Sequence, residues 1–145
     1  MNDFHVIVRP VGSACLDPIS DASWNGIAME AWRVSPDSAA LGAQGFGVDY
    51  ETVSNQLVTI PRLFLEPDGS FVWVSSADPD HRIDGQTTDD GRQLLYVELR
   101  GRCEWNQFAN VIEHFGVSVS GLIFQLLPEA LLIKASQLRQ TFFDG

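Results

Sequence analysis

The stretch that decides the fold is residues 62–74, which read RLFLEPDGSFVWV. Two apolar runs flank the tripeptide PDG, in which proline presets the first turn position and glycine supplies a positive φ. A three-residue loop of this kind sets the register, so we expect Leu65 opposite Phe71 and Leu63 opposite Trp73. The sequence therefore predicts an antiparallel β-hairpin at the centre of the fold.

Both faces of this hairpin are largely apolar, which predicts cover on both sides. One face consists of Leu63, Leu65, Phe71 and Trp73. The other face consists of Phe64, Val72 and Val74. Only one of these faces fits against the main helix, and the loop-rich N-terminal third is expected to cover the other incompletely. Since an uncovered apolar face is typical of an interface, the second face predicts contact with another copy of the chain or with a protein partner.

A second hairpin is predicted downstream, around the turn Asp89-Asp90-Gly91. Pairing Thr88 with Arg92 places Ile83 opposite Val97. The wetter face of this hairpin carries Arg82, Asp84, Tyr96, Glu98 and Arg100. An open sheet face with these side chains is a candidate site for a small polar ligand. The alternative is a set of exposed cross-strand ion pairs, each contributing about 0–1 kcal/mol.

The main helix is predicted over about 104–115, because Trp105, Phe108 and Ile112 recur at helical spacing before Gly116. Shorter helices are predicted over 35–42 and 137–143, and strands over 4–8, 122–127 and 131–133. The sequence thus predicts an α+β fold with an antiparallel sheet of about five to six strands and helices on one face. We expect one domain over 1–145, with a loop-rich part (1–60) and a hairpin–hairpin–helix–strand–helix core (61–145).

Composition limits the classes of partner. The chain has 145 residues, 9 Lys+Arg and 19 Asp+Glu, which give a formal net charge of -10. Such a chain repels phosphate backbones, so a nucleic-acid partner is not expected, and a basic protein partner is favoured. No apolar run approaches the ~20 residues of a membrane-spanning helix. The cysteines Cys15 and Cys103 have no metal-binding spacing, and reduced thiols predict a cytoplasmic location.

Candidate catalytic residues are His81, Asp80 and Cys103. The segment DPDHR (78–82) places carboxylates next to a histidine, as a general base requires, although the same aspartates also initiate turns. Cys103 precedes the main helix, where the dipole lowers a thiol pKa, although a free cysteine is more often a buried small hydrophobe.

Nucleotide and metal sites are not indicated. The only lysine is Lys134, which excludes a Walker-type loop in the glycine-rich residues 42–47. The histidines His5, His81 and His114 have no metal-pair spacing, so neither a metal nor a cofactor is expected. The favoured function is a small, acidic, non-catalytic protein that acts through protein–protein contact. The alternatives are a small hydrolase with its site near His81 and a polar-ligand binding module on the Tyr96 face.

Overall fold

The computed structural model describes residues 2–10, 16–34, 45–127 and 131–144. In this part of the chain, nine antiparallel strands form one sheet. They are β1 (Phe4–Pro10), β2 (Leu16–Ile19), β5 (Ala31–Val34), β6 (Leu63–Leu65), β7 (Ser70–Val74), β8 (Arg82–Asp89), β9 (Leu94–Arg102), β10 (Leu122–Leu126) and β11 (Leu132–Lys134). Their order across the sheet is β2-β5-β11-β10-β1-β9-β8-β7-β6. A separate small ribbon pairs β3 (Ser23–Trp24) with β4 (Ile27–Ala28). The predicted α+β class with a large antiparallel sheet is confirmed.

The N-terminal strand β1 lies at the centre of the sheet, between β10 and β9. Its alternating sequence explains the position, because Phe4, Val6 and Val8 point inward and are at most 2% exposed. The intervening residues His5, Ile7 and Arg9 point to the opposite, outer face. This outer face continues onto β9, β8 and β7, where the predicted polar and apolar candidate residues lie.

The first hairpin has the predicted register. Leu63 pairs with Trp73 and Leu65 with Phe71 across β6 and β7. At the turn, Gly69 has a φ of +88°, and the Asp68 carboxylate accepts hydrogen bonds from the Ser70 backbone N–H and hydroxyl. The local turn chemistry is therefore sufficient to set this register.

The predicted register of the second hairpin is wrong. Ile83 pairs with Gly101 instead of Val97, a shift of four residues. The turn is longer than predicted, since the Asp90 N–H donates to the Gln93 carbonyl. A bulge follows on β9, where the partners of Thr88 and Asp89 are Tyr96 and Leu94. A shift of four is even, so the inward and outward residues of β8 keep their predicted faces. On β9, the bulge changes which of two neighbouring residues faces the core. Leu94 is buried, whereas Leu95, which was predicted to face inward, is only partly buried.

In the part of the chain that the structure describes, three α-helices bury apolar side chains in the same core as the inner face of β1. They are α1 (Tyr50–Leu57), α2 (Trp105–Glu113) and α3 (Ala135–Phe142). The short 3₁₀ helix Val119–Gly121 lies between α2 and α3 in the chain. The α2 helix confirms the predicted main helix, and α3 begins two residues before the predicted start. The sequence analysis missed α1, because only Val53 and Leu57 mark its buried side.

The sheet is larger than predicted because β2 and β5 join it. The segment containing β2 reads as a loop, since Pro18 and several small polar residues interrupt it, and the segment of β5 was ambiguous. On the outer face, Leu16 and Trp32 pack on the buried residues Ile123 and Leu132. The predicted helix over 35–42 lies outside the described residues. Within the described ranges, no helix has the length and apolar composition needed to cross a membrane.

Candidate functional site

The candidate site lies at one end of the outer face, where β8, β9 and β1 run side by side. Arg100 on β9 is the Cα partner of His5 on β1 and of Asp84 on β8. Arg82 and Arg102 are also Cα partners, two residues away from Asp84 and Arg100 on the same two strands. Because residues two apart on a strand share a face, the strand pairing gathers these basic side chains at the sheet end.

Two of the three arginines at this end have carboxylate partners. The Arg82 guanidinium donates to both Asp84 carboxylate oxygens, with the shortest N···O distance at 2.7 Å. This hydrogen bonding raises the pKa of Arg82 above its usual range. The Arg102 Nε lies 3.0 Å from the Asp3 carboxylate. Arg100 is exposed and has no ion pair with any described residue of the chain.

A cavity of about 480 Å³ opens between these side chains. Its basic lining residues are His5, Arg82, Arg100 and Arg102. Its acidic lining residues are Asp3, Asp80 and Asp84. The remaining wall is apolar and includes Phe4, Trp24 and Phe142. The cavity therefore joins a charged rim to an aromatic wall.

The aromatic wall comes from the inner layer of the molecule, at the end of the sheet. Trp24 of the small β3–β4 ribbon packs on Phe142 of α3, with ring centroids 4.9 Å apart. The neighbouring residue Phe143 packs on Phe4, with centroids 5.6 Å apart. Trp24 is partly exposed, whereas Phe4 and Phe142 are 2% exposed. The wall is thus held by core packing and presents mainly the Trp24 ring to the cavity.

The predicted polar face divides into two parts. Arg82, Asp84 and Arg100 line the cavity, whereas Tyr96 and Glu98 lie further along β9, outside its lining. These two residues have partners on β1. The His5 Nε2 lies 2.9 Å from a Glu98 carboxylate oxygen, and the Arg9 guanidinium lies 4.5 Å from the centre of the Tyr96 ring.

Partial burial lowers the pKa of Arg9, the guanidinium that lies over Tyr96. The Tyr96 ring and the Glu98 carboxylate are therefore engaged within the sheet. The cavity end, and not the Tyr96 end, is the part of the predicted face with donors left for a ligand.

The predicted catalytic candidates lie in different surroundings. His81 is the last residue of the β7–β8 loop. Its backbone N–H donates to the Asp78 carbonyl, and its ring Nε2 lies 3.4 Å from the Asp78 carboxylate. Asp80 lines the cavity, but His81 does not. Cys103 is fully buried, and burial raises the pKa of its thiol to about 12. A thiol with this pKa stays protonated near neutral pH, which disfavours its use as a nucleophile.

The predicted interface residues occupy the outer face of the first hairpin. Phe64 on β6 is 59% exposed, and Val72 and Val74 on β7 are partly exposed. The opposite face of the hairpin packs into the core, with Phe71 4% exposed. Within the described residues, the outer face of β6 is therefore left uncovered.

Sequence reasoning missed several lining residues. His5 and Arg102 continue the outward alternation of two predicted strands, and extending the polar face along both strands would have found them. Trp24 and Phe142 had no such signal, because they lie far apart in the chain and meet only through packing. In the described part of the chain, no three His, Cys, Asp or Glu residues are grouped to hold a metal ion. Comparison with protein-family models, with curated proteins and with solved structures finds no match.

Proposed function

We propose that this protein is a non-catalytic binding protein for a small organic anion, which it holds in the cavity at the end of β8 and β9. The observation that carries the proposal is Arg100. This exposed arginine lies between His5 and Asp84 on a cavity rim, and no acid of the described chain pairs with it. An arginine in this position presents several N–H donors in a fixed fork that matches a carboxylate or phosphate.

The distribution of charge supports an anionic ligand. The chain carries a formal net charge of -10, so its average field repels anions. Three of the 9 basic Lys and Arg residues nevertheless line this one cavity. Asp84 and Asp3 hold two of them in place, and the third is left for the ligand. The lining therefore balances three arginines with Asp3, Asp80 and Asp84, whereas the chain as a whole is strongly acidic.

The size and the walls of the cavity indicate the rest of the ligand. A volume of about 480 Å³ is in the range of pockets for small organic molecules. The Trp24 ring offers an apolar face against which a ring or a short hydrocarbon part packs. Asp80 and Asp84 supply acceptors for a hydroxyl or an amino group of the ligand. The best fit is thus a carboxylate or phosphate joined to an apolar ring.

A binding role without chemistry agrees with the surroundings of the catalytic candidates. His81 is bonded within its own loop, and the Cys103 thiol is buried with a raised pKa. A cytoplasmic location is part of the proposal, because a buried thiol in the reduced state fits a reducing compartment.

Isothermal titration with three probes tests the proposal: inorganic phosphate, benzoate and phenyl phosphate. We expect phenyl phosphate to bind more tightly than inorganic phosphate, because only the former reaches the Trp24 ring. The change Arg100→Gln should weaken phenyl phosphate binding by about tenfold or more, the loss expected for a charge-assisted hydrogen bond.

The matched control for this titration is Arg92→Gln. Arg92 is an exposed arginine at the turn of the same β8–β9 ribbon, so the control makes the same charge change outside the cavity. It should leave the affinity unchanged. Equal weakening by the two changes would reduce the effect to general electrostatics, and no binding of any probe would contradict the proposal.

A second candidate function is protein–protein contact, with a basic partner or with another copy of the chain. It is favoured by the exposed Phe64 beside Val72 and Val74 on an otherwise acidic molecule. An acidic surface speeds encounter with a basic protein. Loss of a captured basic protein at raised salt, together with loss on Phe64→Ser, would support this function.

A further inference from the structure

We propose that two copies of this chain pair antiparallel along the edge strand β6, with Phe64 at the two-fold axis. The pairing joins two nine-stranded sheets into one continuous sheet. It is independent of the proposed ligand, since it uses neither Arg100 nor the aromatic wall of the cavity.

The backbone hydrogen bonding of the edge strand favours this pairing. Among the strands of the described residues, β6 is the last of the sheet and pairs only with β7. The Glu66 N–H donates to the Ser70 carbonyl, and the Arg62 carbonyl accepts from the Val74 N–H. Because hydrogen-bonded pairs alternate along an antiparallel ladder, Phe64 is the residue of β6 whose backbone groups bond to β7. The backbone groups of the flanking residues Leu63 and Leu65 therefore point away from the sheet.

Most of these outward groups have no other partner in the described chain. The Leu63 N–H donates to the Ile60 carbonyl. The Leu63 carbonyl and both backbone groups of Leu65 are left for another strand. An edge with such groups is a template for pairing. The opposite edge of the sheet, β2, contains Pro18, which has no N–H to donate.

The amino-acid sequence of the edge strand is complementary to itself in charge. Residues 62–66 read RLFLE, and Pro61 and Pro67 bracket them. Antiparallel pairing centred on Phe64 places each Arg62 near Glu66 of the second copy, so opposite charges meet twice. Both side chains are exposed, and neither has an ion pair within the described chain. The Arg62 Nε donates to the Val74 carbonyl of its own hairpin, at a residue with a φ of +65°, so the guanidinium exchanges this bond for Glu66 of the second copy on pairing. A parallel pairing or a shifted register loses this match.

Exposed apolar side chains lie at the edge strand and would be covered by a second copy. Among the described residues, the exposed large apolar side chains are Ile27, Val58 and Phe64. Two of these three flank the edge: Val58, 58% exposed, caps the C-terminus of α1 next to β6, and Phe64 is 59% exposed. In the paired edge, the two Phe64 residues form a pair without backbone hydrogen bonds, in which side chains approach most closely. Pairing of two copies therefore buries the two rings against each other.

A charge swap tests the pairing, with sedimentation equilibrium as the measurement. The wild type should be a dimer, and Glu66→Arg should raise its dissociation constant by about tenfold or more, because four arginines then meet. The double variant Arg62→Glu with Glu66→Arg restores opposite charges and should return the constant to within about threefold of the wild type. A monomeric wild type, or a double variant no tighter than the single one, would overturn the proposal.

Cysteine trapping provides a second measurement that does not depend on those charges. In the proposed register the two Phe64 Cα atoms lie about 4.5 Å apart, which suits a disulfide. Under mild oxidation Phe64→Cys should give a covalent dimer on a non-reducing gel. The control Val72→Cys lies on the same face one strand further in and should stay monomeric on that gel. Equal cross-linking of the two variants, or none of either, would overturn the assigned register.

Discussion

Gly85 on β8 lacks a side chain at a point where the core has no room for one. The ring of Phe71, its Cα partner on β7, occupies the space that a Cβ at position 85 would take. An aromatic ring packed over a strand glycine fills the inner face without a gap. The same pairing helps hold β7, which carries the outer-face residues Val72 and Val74, against the strand of the candidate site.

We expect Gly85→Ala to lower the free energy of unfolding by about 1–3 kcal/mol, because the added methyl group displaces the Phe71 ring from a packed core. Urea denaturation of the variant and the wild type provides the measurement. The control is Gly121→Ala, where nothing within 4 Å meets the added Cβ. Similar midpoints for the two variants would contradict the packing described for Phe71.

Cys103 makes stability depend on pH above neutrality. Burial raises the pKa of its thiol to about 12 from an ordinary value of 9.0, so the folded state binds its proton more tightly than the unfolded state. This stabilisation is complete below pH 9 and is lost as the pH rises towards 12. At pH 10.5 the loss from this group is about 2 kcal/mol, at about 1.4 kcal/mol per pH unit.

Denaturation at pH 8 and at pH 10.5 checks this expectation. The fall in unfolding free energy between the two pH values should be smaller in Cys103→Ala than in the wild type, since the variant lacks the thiol. Other groups titrate in both proteins and cancel in the comparison. An identical fall in both proteins would show that Cys103 ionises normally in the fold.

At the level of elements, α2 depends on one aromatic residue. Phe108 is 0% exposed, and its ring lies 5.1 Å from Phe4, 5.1 Å from Phe143 and 6.0 Å from Phe124. The ring therefore joins the helix to two central strands and to the residue that follows α3. Because Phe4 also lines the cavity, the packing of α2 supports the wall of the candidate site.

Truncation of this side chain should be among the more costly changes in the chain. We expect Phe108→Ala to cost about 3–5 kcal/mol, from lost transfer free energy and a residual cavity. His114→Ala, at the end of the same helix, should cost less than about 1 kcal/mol, since it removes only a side-chain hydrogen bond to the Asn110 carbonyl. Denaturant midpoints provide the ranking, and the reverse order would contradict the assigned faces of α2.

The elements differ in how well local sequence predicted them. The PDG turn of the first hairpin sets the register of its two strands, because Pro67, Asp68 and Gly69 each favour one position of the same type of turn. The turn DDG of the second hairpin was less decisive, since the loop extends to Gln93 and a bulge follows. Helix α1 was missed for a related reason. Its cap, in which Asp49 accepts from the Thr52 N–H, is a local signal, but two buried residues do not make a clear stripe.

At the scale of the whole molecule, the basic side chains are unevenly distributed. The formal net charge is -10, yet Arg82, Arg100 and Arg102 line one cavity. The edge strand β6 presents an exposed apolar side chain at Phe64. The long-range pairing of β1 with β9 and β10 produces this arrangement, because it brings His5 and Phe4 to the end of a ribbon about 95 residues later in the chain.

The amino-acid sequence by itself determined the class of the fold, the first hairpin and its register, the faces of β8, the main helix and the polar character of the face around Arg82 and Arg100. These features follow from turn residues and from periodicities of two and 3.6, which act over a few neighbouring positions. Only the tertiary structure decided the strand order, the joining of β2 and β5 to the sheet, and the meeting of Trp24 with Phe142 beside Arg100. Those outcomes depend on which distant segments bury their apolar faces against each other, and the free energy of that choice is shared by the whole core.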